Sequence, residues 1–62
     1  MKLFLKDIGW IDIQEDSRNF DLFIEGDSQY FRTIEVCVDH KDFMYTRLIL
    51  INRDYIIQAN YS

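Results

Sequence analysis

The sequence predicts an all-β protein: a small antiparallel meander, or a partly closed barrel, of five to six strands in a single domain spanning residues 1–62. Three observations carry that expectation. Apolar and polar positions alternate along most of the chain with β-branched and aromatic enrichment, while 3.6-residue periodicity is weak. The polar clusters QEDSRN, GDS, HKD and RD interrupt the pattern at short intervals. Each interruption is too short for the crossover that parallel strands need, so successive strands are expected to pair as antiparallel hairpins.

Taken in order, the pattern predicts strands at Lys2–Lys6, Gly9–Ile13, Phe20–Glu25, Tyr30–Asp39, Phe43–Asn52 and Tyr55–Tyr61. Gly9 either divides the first two or only bends one longer strand. The third rests on the alternation of Phe20, Leu22 and Ile24; a short helix over QEDSRNF, capped by Asp16 or Ser17, competes with it. A three-residue loop Gly26-Asp27-Ser28 then opposes Ile24 with Tyr30 and Phe20 with Ile34. A loop of His40, Lys41 and Asp42 opposes Val38 with Met44, Val36 with Thr46, Ile34 with Leu48, and Glu35 with Arg47. A tight turn at Arg53-Asp54 opposes Leu50 with Ile57. This register gathers Phe20, Leu22, Ile24, Tyr30, Ile34, Val36, Val38, Leu48 and Leu50 on one expected core face, since a slip of one residue would move them all to the other side.

The run Leu48-Ile49-Leu50-Ile51 puts apolar side chains on both faces of its strand. The second face then carries Phe23, Phe31, Cys37, Tyr45, Ile49, Ile51 and Ile56, with Thr33, Glu35, Arg47 and Gln58 among them. The N-terminal strand covers only part of one face. Phe23, Phe31, Tyr45, Ile49, Ile51 and Ile56 are therefore the expected partner-binding surface, because contiguous exposed apolar patches usually mark interactions.

Composition narrows the function. The net charge of −4 lies in residues 1–31, where seven acids face three cations, while residues 32–62 balance four against four. Such a chain is repelled by phosphate backbones, which disfavours direct nucleic-acid binding. Asp12, Asp21, Glu25 and Asp27, spaced along extended strands, form an expected acidic face suited to a basic partner protein. A single cysteine excludes an internal disulfide framework, and no apolar run is long enough to span a membrane, so a cytoplasmic protein is expected.

Chemistry-bearing groupings are sparse. CVDHKD brings Cys37, Asp39, His40 and Asp42 together, but a strand separates Cys37 and Asp39 from the two turn residues, and no second cluster completes a metal site. Cys37 and His40 lack a third group to orient them for nucleophilic catalysis. Glu15 and Asp16 lack the spacing of a calcium loop. Trp10, Phe31 and Tyr45 suggest a stacking platform without the basic groove that such platforms occupy. No catalytic residue, metal or cofactor is expected. The sequence predicts a small non-enzymatic binding protein that occupies a partner protein's surface. Against a nucleic-acid-acting or defence complex it would be an acidic inhibitor of the phage or plasmid type. The alternative is a homodimeric structural or regulatory β-protein that spends its second apolar face on itself.

Overall fold

A computed structural model of the chain describes residues 1–61 and contains five antiparallel strands in one sheet. In chain order the elements are β1 (Lys2–Leu5), β2 (Gly9–Ile13), α1 (Ser17–Glu25), β3 (Tyr30–Val38), β4 (Met44–Asn52), a 3₁₀ turn at Arg53–Tyr55, and β5 (Ile56–Asn60). Their order across the sheet is β4-β3-β2-β1-β5. The all-β expectation holds in its open form, for among the described residues no ladder joins β4 to β5 to close a barrel.

Gly9 divides the first two strands. The chain reverses over residues 6–8, where Ile8 N–H donates to the Leu5 carbonyl at 3.2 Å. Gly9 leaves the turn with φ 96°, a left-handed backbone that only glycine adopts without strain. The β3–β4 hairpin has the expected register throughout, from Val38 opposite Met44 to Tyr30 opposite Asn52, with Glu35 facing Arg47. Its loop is set by Asp39, whose carboxylate accepts from the N–H groups of Lys41 at 2.8 Å and Phe43 at 3.0 Å. Asp42 closes that loop with φ 64°, the left-handed last residue of a three-residue hairpin loop.

Two expectations are overturned. The segment assigned to a strand at Phe20–Glu25 is the helix α1, and the hairpin across Gly26-Asp27-Ser28 does not exist. Asp16 is the N-cap, accepting from Asn19 N–H at 2.9 Å, as the competing helix reading required. The helix prevails because Phe20 and Phe23, three apart, then fall on one side and pack against Phe31, with ring centroids at 5.6 and 4.9 Å. Extended backbone would put those two rings on opposite faces. Leu22 and Ile24, counted towards the core by their alternation, are exposed instead. The second correction concerns β5, which does not fold back on β4. It pairs with β1, Leu3 opposite Ala59 and Lys2 opposite Asn60, at the far side of the sheet.

These changes invert the two faces. The core comprises Leu3, Leu5, Ile13, Phe20, Phe23, Phe31 and Ile51, with Ile49, Ile56 and Ala59 packed against it. The inward residues of β3 are thus Phe31 and Thr33, and Arg32, Ile34 and Val38 point out. Thr33 is the buried polar residue; its hydroxyl donates to Glu15 Oε2 at 3.2 Å, and the other oxygen of Glu15 accepts from Asn19 Nδ2 at 2.7 Å. Glu15 so joins the first turn of α1 to β3.

The helix ends against Arg53. Its guanidinium donates to the carbonyls of Phe23, of Ile24 at 3.2 Å, of Gly26 at 3.0 Å and of Ser28 at 2.8 Å, and lies 4.3 Å from the centroid of the Phe23 ring. Carbonyls at a helix C-terminus lack intrahelical donors and carry the negative end of the dipole, so a cation is favoured there. Arg53→Ala is expected to cost roughly 2–3 kcal/mol in denaturant unfolding, because several acceptors lose a charged donor at once. Arg53→Lys should recover less than half of that, since one ammonium cannot match the planar fork.

Beyond β5, Tyr61 lies against α1, its ring 6.1 Å from that of Phe20 and its hydroxyl donating to Asp21 Oδ1 at 2.9 Å. That hydrogen bond raises the Tyr61 pKa above the ordinary tyrosine value. The folded chain therefore holds this proton more firmly than the unfolded one. The contribution to stability is complete below the unfolded tyrosine pKa of about 10 and is lost as pH rises through the raised value. Thermal unfolding of Asp21→Asn is expected to show a shallower alkaline loss of stability than wild type.

Candidate protein-binding surface

The expected apolar partner face is occupied by the protein's own core. Phe23, Phe31 and Ile51 are buried, and Ile49 and Ile56 are half-buried against them. Of that set only Tyr45 is exposed. The physical reason is that α1, β1 and β2 supply a filling that the register argument had not counted, and they fill the side on which Phe31 and Ile51 lie.

The free apolar surface is the other side of the same hairpin. Alternation and register place Ile34, Val38, Met44, Leu48 and Leu50 together on the convex face of β3 and β4. They are exposed by 39, 59, 73, 60 and 63 %. Leu48 sits opposite Ile34, Met44 opposite Val38, and Leu50 opposite Arg32. Val36, half-buried, fills the middle of the patch and faces Asp12 on β2. Beyond the patch on the same side, Phe4 and Trp10 meet edge to face at 5.3 Å. Strand β4, nine residues long and with one charged side chain, is also one of the two edges of the sheet. Natural sheets usually blunt such an edge with charges, proline or a bulge. The sequence held one signal for this surface, the unbroken run from Leu48 to Ile51, and assigned it to the wrong face.

The expected acidic face is only partly assembled. Asp21 and Glu25, four apart on α1, lie on one side of the helix, and Asp27 follows in the loop. Asp12 belongs to β2 and projects on the convex side beside Val36. Since α1 packs its phenylalanines on the inward Phe31, the helix and its carboxylates lie on the opposite side of the sheet from the apolar patch. Glu15 and Asp16 hold the helix start by the bonds described above.

On the concave side a groove of about 340 Å³ runs between β4 and the β1–β2 turn, lined by Ile8, Ile11, Ile49 and Tyr55. Glu35 and Arg47 form an ion pair across it at 2.7 Å. That hydrogen bond and the Glu35 charge raise the Arg47 pKa. Cys37, half-buried, faces Tyr45 across the ladder, while His40 is in the loop. Trp10, Phe31 and Tyr45 do not converge: Trp10 is on the convex side, Phe31 in the core, and Tyr45 on the concave side of the hairpin. Among the described residues, no group of three or more His, Cys, Asp or Glu is arranged to hold a metal ion, and no helix is long and apolar enough to cross a membrane.

No family model, curated protein or solved structure matches this chain.

The charge of Cys37 and its hydrogen bond with Tyr45 raise the pKa of that phenol. Replacing Cys37 by Ser removes that influence, so the Tyr45 step in an ultraviolet titration is expected to move to lower pH. An unchanged titration would show that the cross-strand neighbour does not set it.

Proposed function

We propose that this chain is a non-enzymatic binding protein that acts by covering an apolar surface on another protein with the convex face of β3 and β4. The observation that supports the reading is the exposure of Ile34, Val38, Met44, Leu48 and Leu50 as one contiguous patch on a chain of 62 residues. Water around five such side chains is released when a matching surface covers them, worth roughly 25 cal/mol per Å² before the costs of association. The net charge of −4 adds a long-range attraction to a partner with basic surroundings, although the carboxylates of α1 lie across the sheet from this face, and it works through the association rate more than through affinity. A protein that handles nucleic acid has such surroundings, and this chain would then act as its inhibitor.

The substitution Leu48→Asp, alone and with Leu50→Asp, tests the reading. Both side chains are more than half exposed, so circular dichroism and the thermal midpoint are expected to remain close to wild type. Capture of the partner is expected to fall at least about tenfold, because each aspartate must be desolvated on docking. Neutralising Asp21, Glu25 and Asp27 together is expected to slow association at low salt and to have little effect at high salt. Binding that ignores both sets of substitutions would overturn the proposal.

A further inference from the structure

We propose that the convex face pairs with a second copy of the chain, sheet against sheet about a two-fold axis that crosses the strands at the row of Ile34 and Leu48. The inference rests on the reading of this face as an interface; a second copy seated there would take the place of the foreign partner proposed above.

Three observations select a second copy. The first is area. The exposures of Ile34, Val38, Met44, Leu48 and Leu50 amount to about 600 Å² of accessible surface on one copy, so a symmetric pair could cover up to roughly 1,200 Å² with these five side chains alone, where stable interfaces begin. The second is charge. The chain is acidic, yet the segment 43–53 contains no acid, and its two cations are each engaged, Arg47 by Glu35 and Arg53 by the end of α1. The carboxylates of α1 lie across the sheet from the patch, so two copies meeting here keep Asp21, Glu25 and Asp27 far apart. A basic partner would find few carboxylates on this side.

The third is register. Two charged side chains adjoin the patch, Arg32 on β3 at one end and Asp12 beside Val36 on β2, with Lys2 of β1 opposite Asp12 on its far side. Neither has a hydrogen bond or ion pair among the described residues. A two-fold axis across the strands at Ile34 exchanges the row of Arg32 with the row of Val36. Arg32 of each copy then lies over Val36 of the other, offset sideways by one strand spacing of about 4.8 Å from its Asp12 and separated from it by the sheet-to-sheet gap of about 10 Å. The arginine and aspartate side chains together span that separation, so the dimer holds two equivalent ion pairs, each copy giving the Arg32 of one and the Asp12 of the other. Face-to-face packing of antiparallel sheets also sets the layers about 10 Å apart, a gap that Leu, Met and Val fill. An isologous contact of this kind closes at two copies and does not propagate.

The test is light scattering over a dilution series of the full chain, run beside partner capture. Wild type is expected at twice the chain mass of 7.6 kDa in the micromolar range. Leu48→Asp is expected at the single-chain mass with an unchanged circular dichroism spectrum. Arg32→Asp is expected to weaken the pair by about tenfold, and Arg32→Asp with Asp12→Arg to restore it to within a few-fold, since a swapped ion pair keeps the same geometry. The double variant has the same net charge as wild type, so its recovery reports the contact itself. A wild type that stays at the single-chain mass overturns the pairing; so does a dimer indifferent to Leu48→Asp, or an Arg32 defect that the swap leaves uncorrected. A monomer that still captures another protein through Leu48 overturns the pairing alone. Loss of neither mass nor capture in Leu48→Asp overturns the reading of the face as well.

Discussion

The guanidinium of Arg53 is where the two halves of this fold are tied. Four carbonyls from the end of α1 and the loop behind it converge on one side chain that belongs to the turn between β4 and β5. The helix alone, nine residues long, is below the length at which isolated helices persist in water. It needs its phenylalanines buried and its last carbonyls satisfied. Arg53 does the second while its plane covers Phe23, which does the first. The backbone N–H of the same residue donates to the Gln29 carbonyl at 2.7 Å, and Gln29 Nε2 donates to Asn52 Oδ1 at 2.6 Å, so the start of β3 is fixed by the same few atoms.

A geometric constraint adds to this. Strands β4 and β5 are at opposite ends of a five-stranded order, yet three residues join them. A flat sheet of five strands is about 19 Å wide, and a 3₁₀ segment of three residues advances only about 6 Å. The sheet must therefore curl until its ends approach. Curling creates a concave side, which α1 and the inward residues fill, and a convex side that none of the described elements covers. The exposed patch follows from the connectivity of the described elements, and the acids of α1 are carried to the opposite side by the same curl.

What the sequence revealed was whatever depended on neighbours along the chain. The β3–β4 register followed from the apolar pattern and the loop His40-Lys41-Asp42, and Glu35 was correctly set against Arg47. Strands β1 and β2 were legible from their apolar runs and Gly9. The helix was ambiguous because FDLFIE satisfies both periods: Phe20, Leu22 and Ile24 at two, Phe20 and Phe23 at three. Only Phe31, a partner distant in sequence, decides between them. Face assignment failed for a related reason. Thr33, Glu35 and Cys37 made the inner face of β3 look like the poorer core, and nothing local shows that Glu15 satisfies Thr33 or that Leu3, Leu5 and Ile13 complete that side. The role of Arg53 was invisible, since its acceptors lie 25 to 30 residues earlier.

Strand β1 lies between the element that follows it directly and the element that comes last. Its ladder with β5 joins Lys2 to Asn60, so the innermost side chain of the protein, Leu3, is enclosed only when the two ends of the described chain meet. During synthesis β1 can form a hairpin with β2 early, but its other edge stays bare until β5 has been made. Loop closure over such a span is entropically costly and slow, and pairings of long sequence separation set the folding rate of β-proteins. Of the described strands, β1 is the one whose two neighbours are made furthest apart in time.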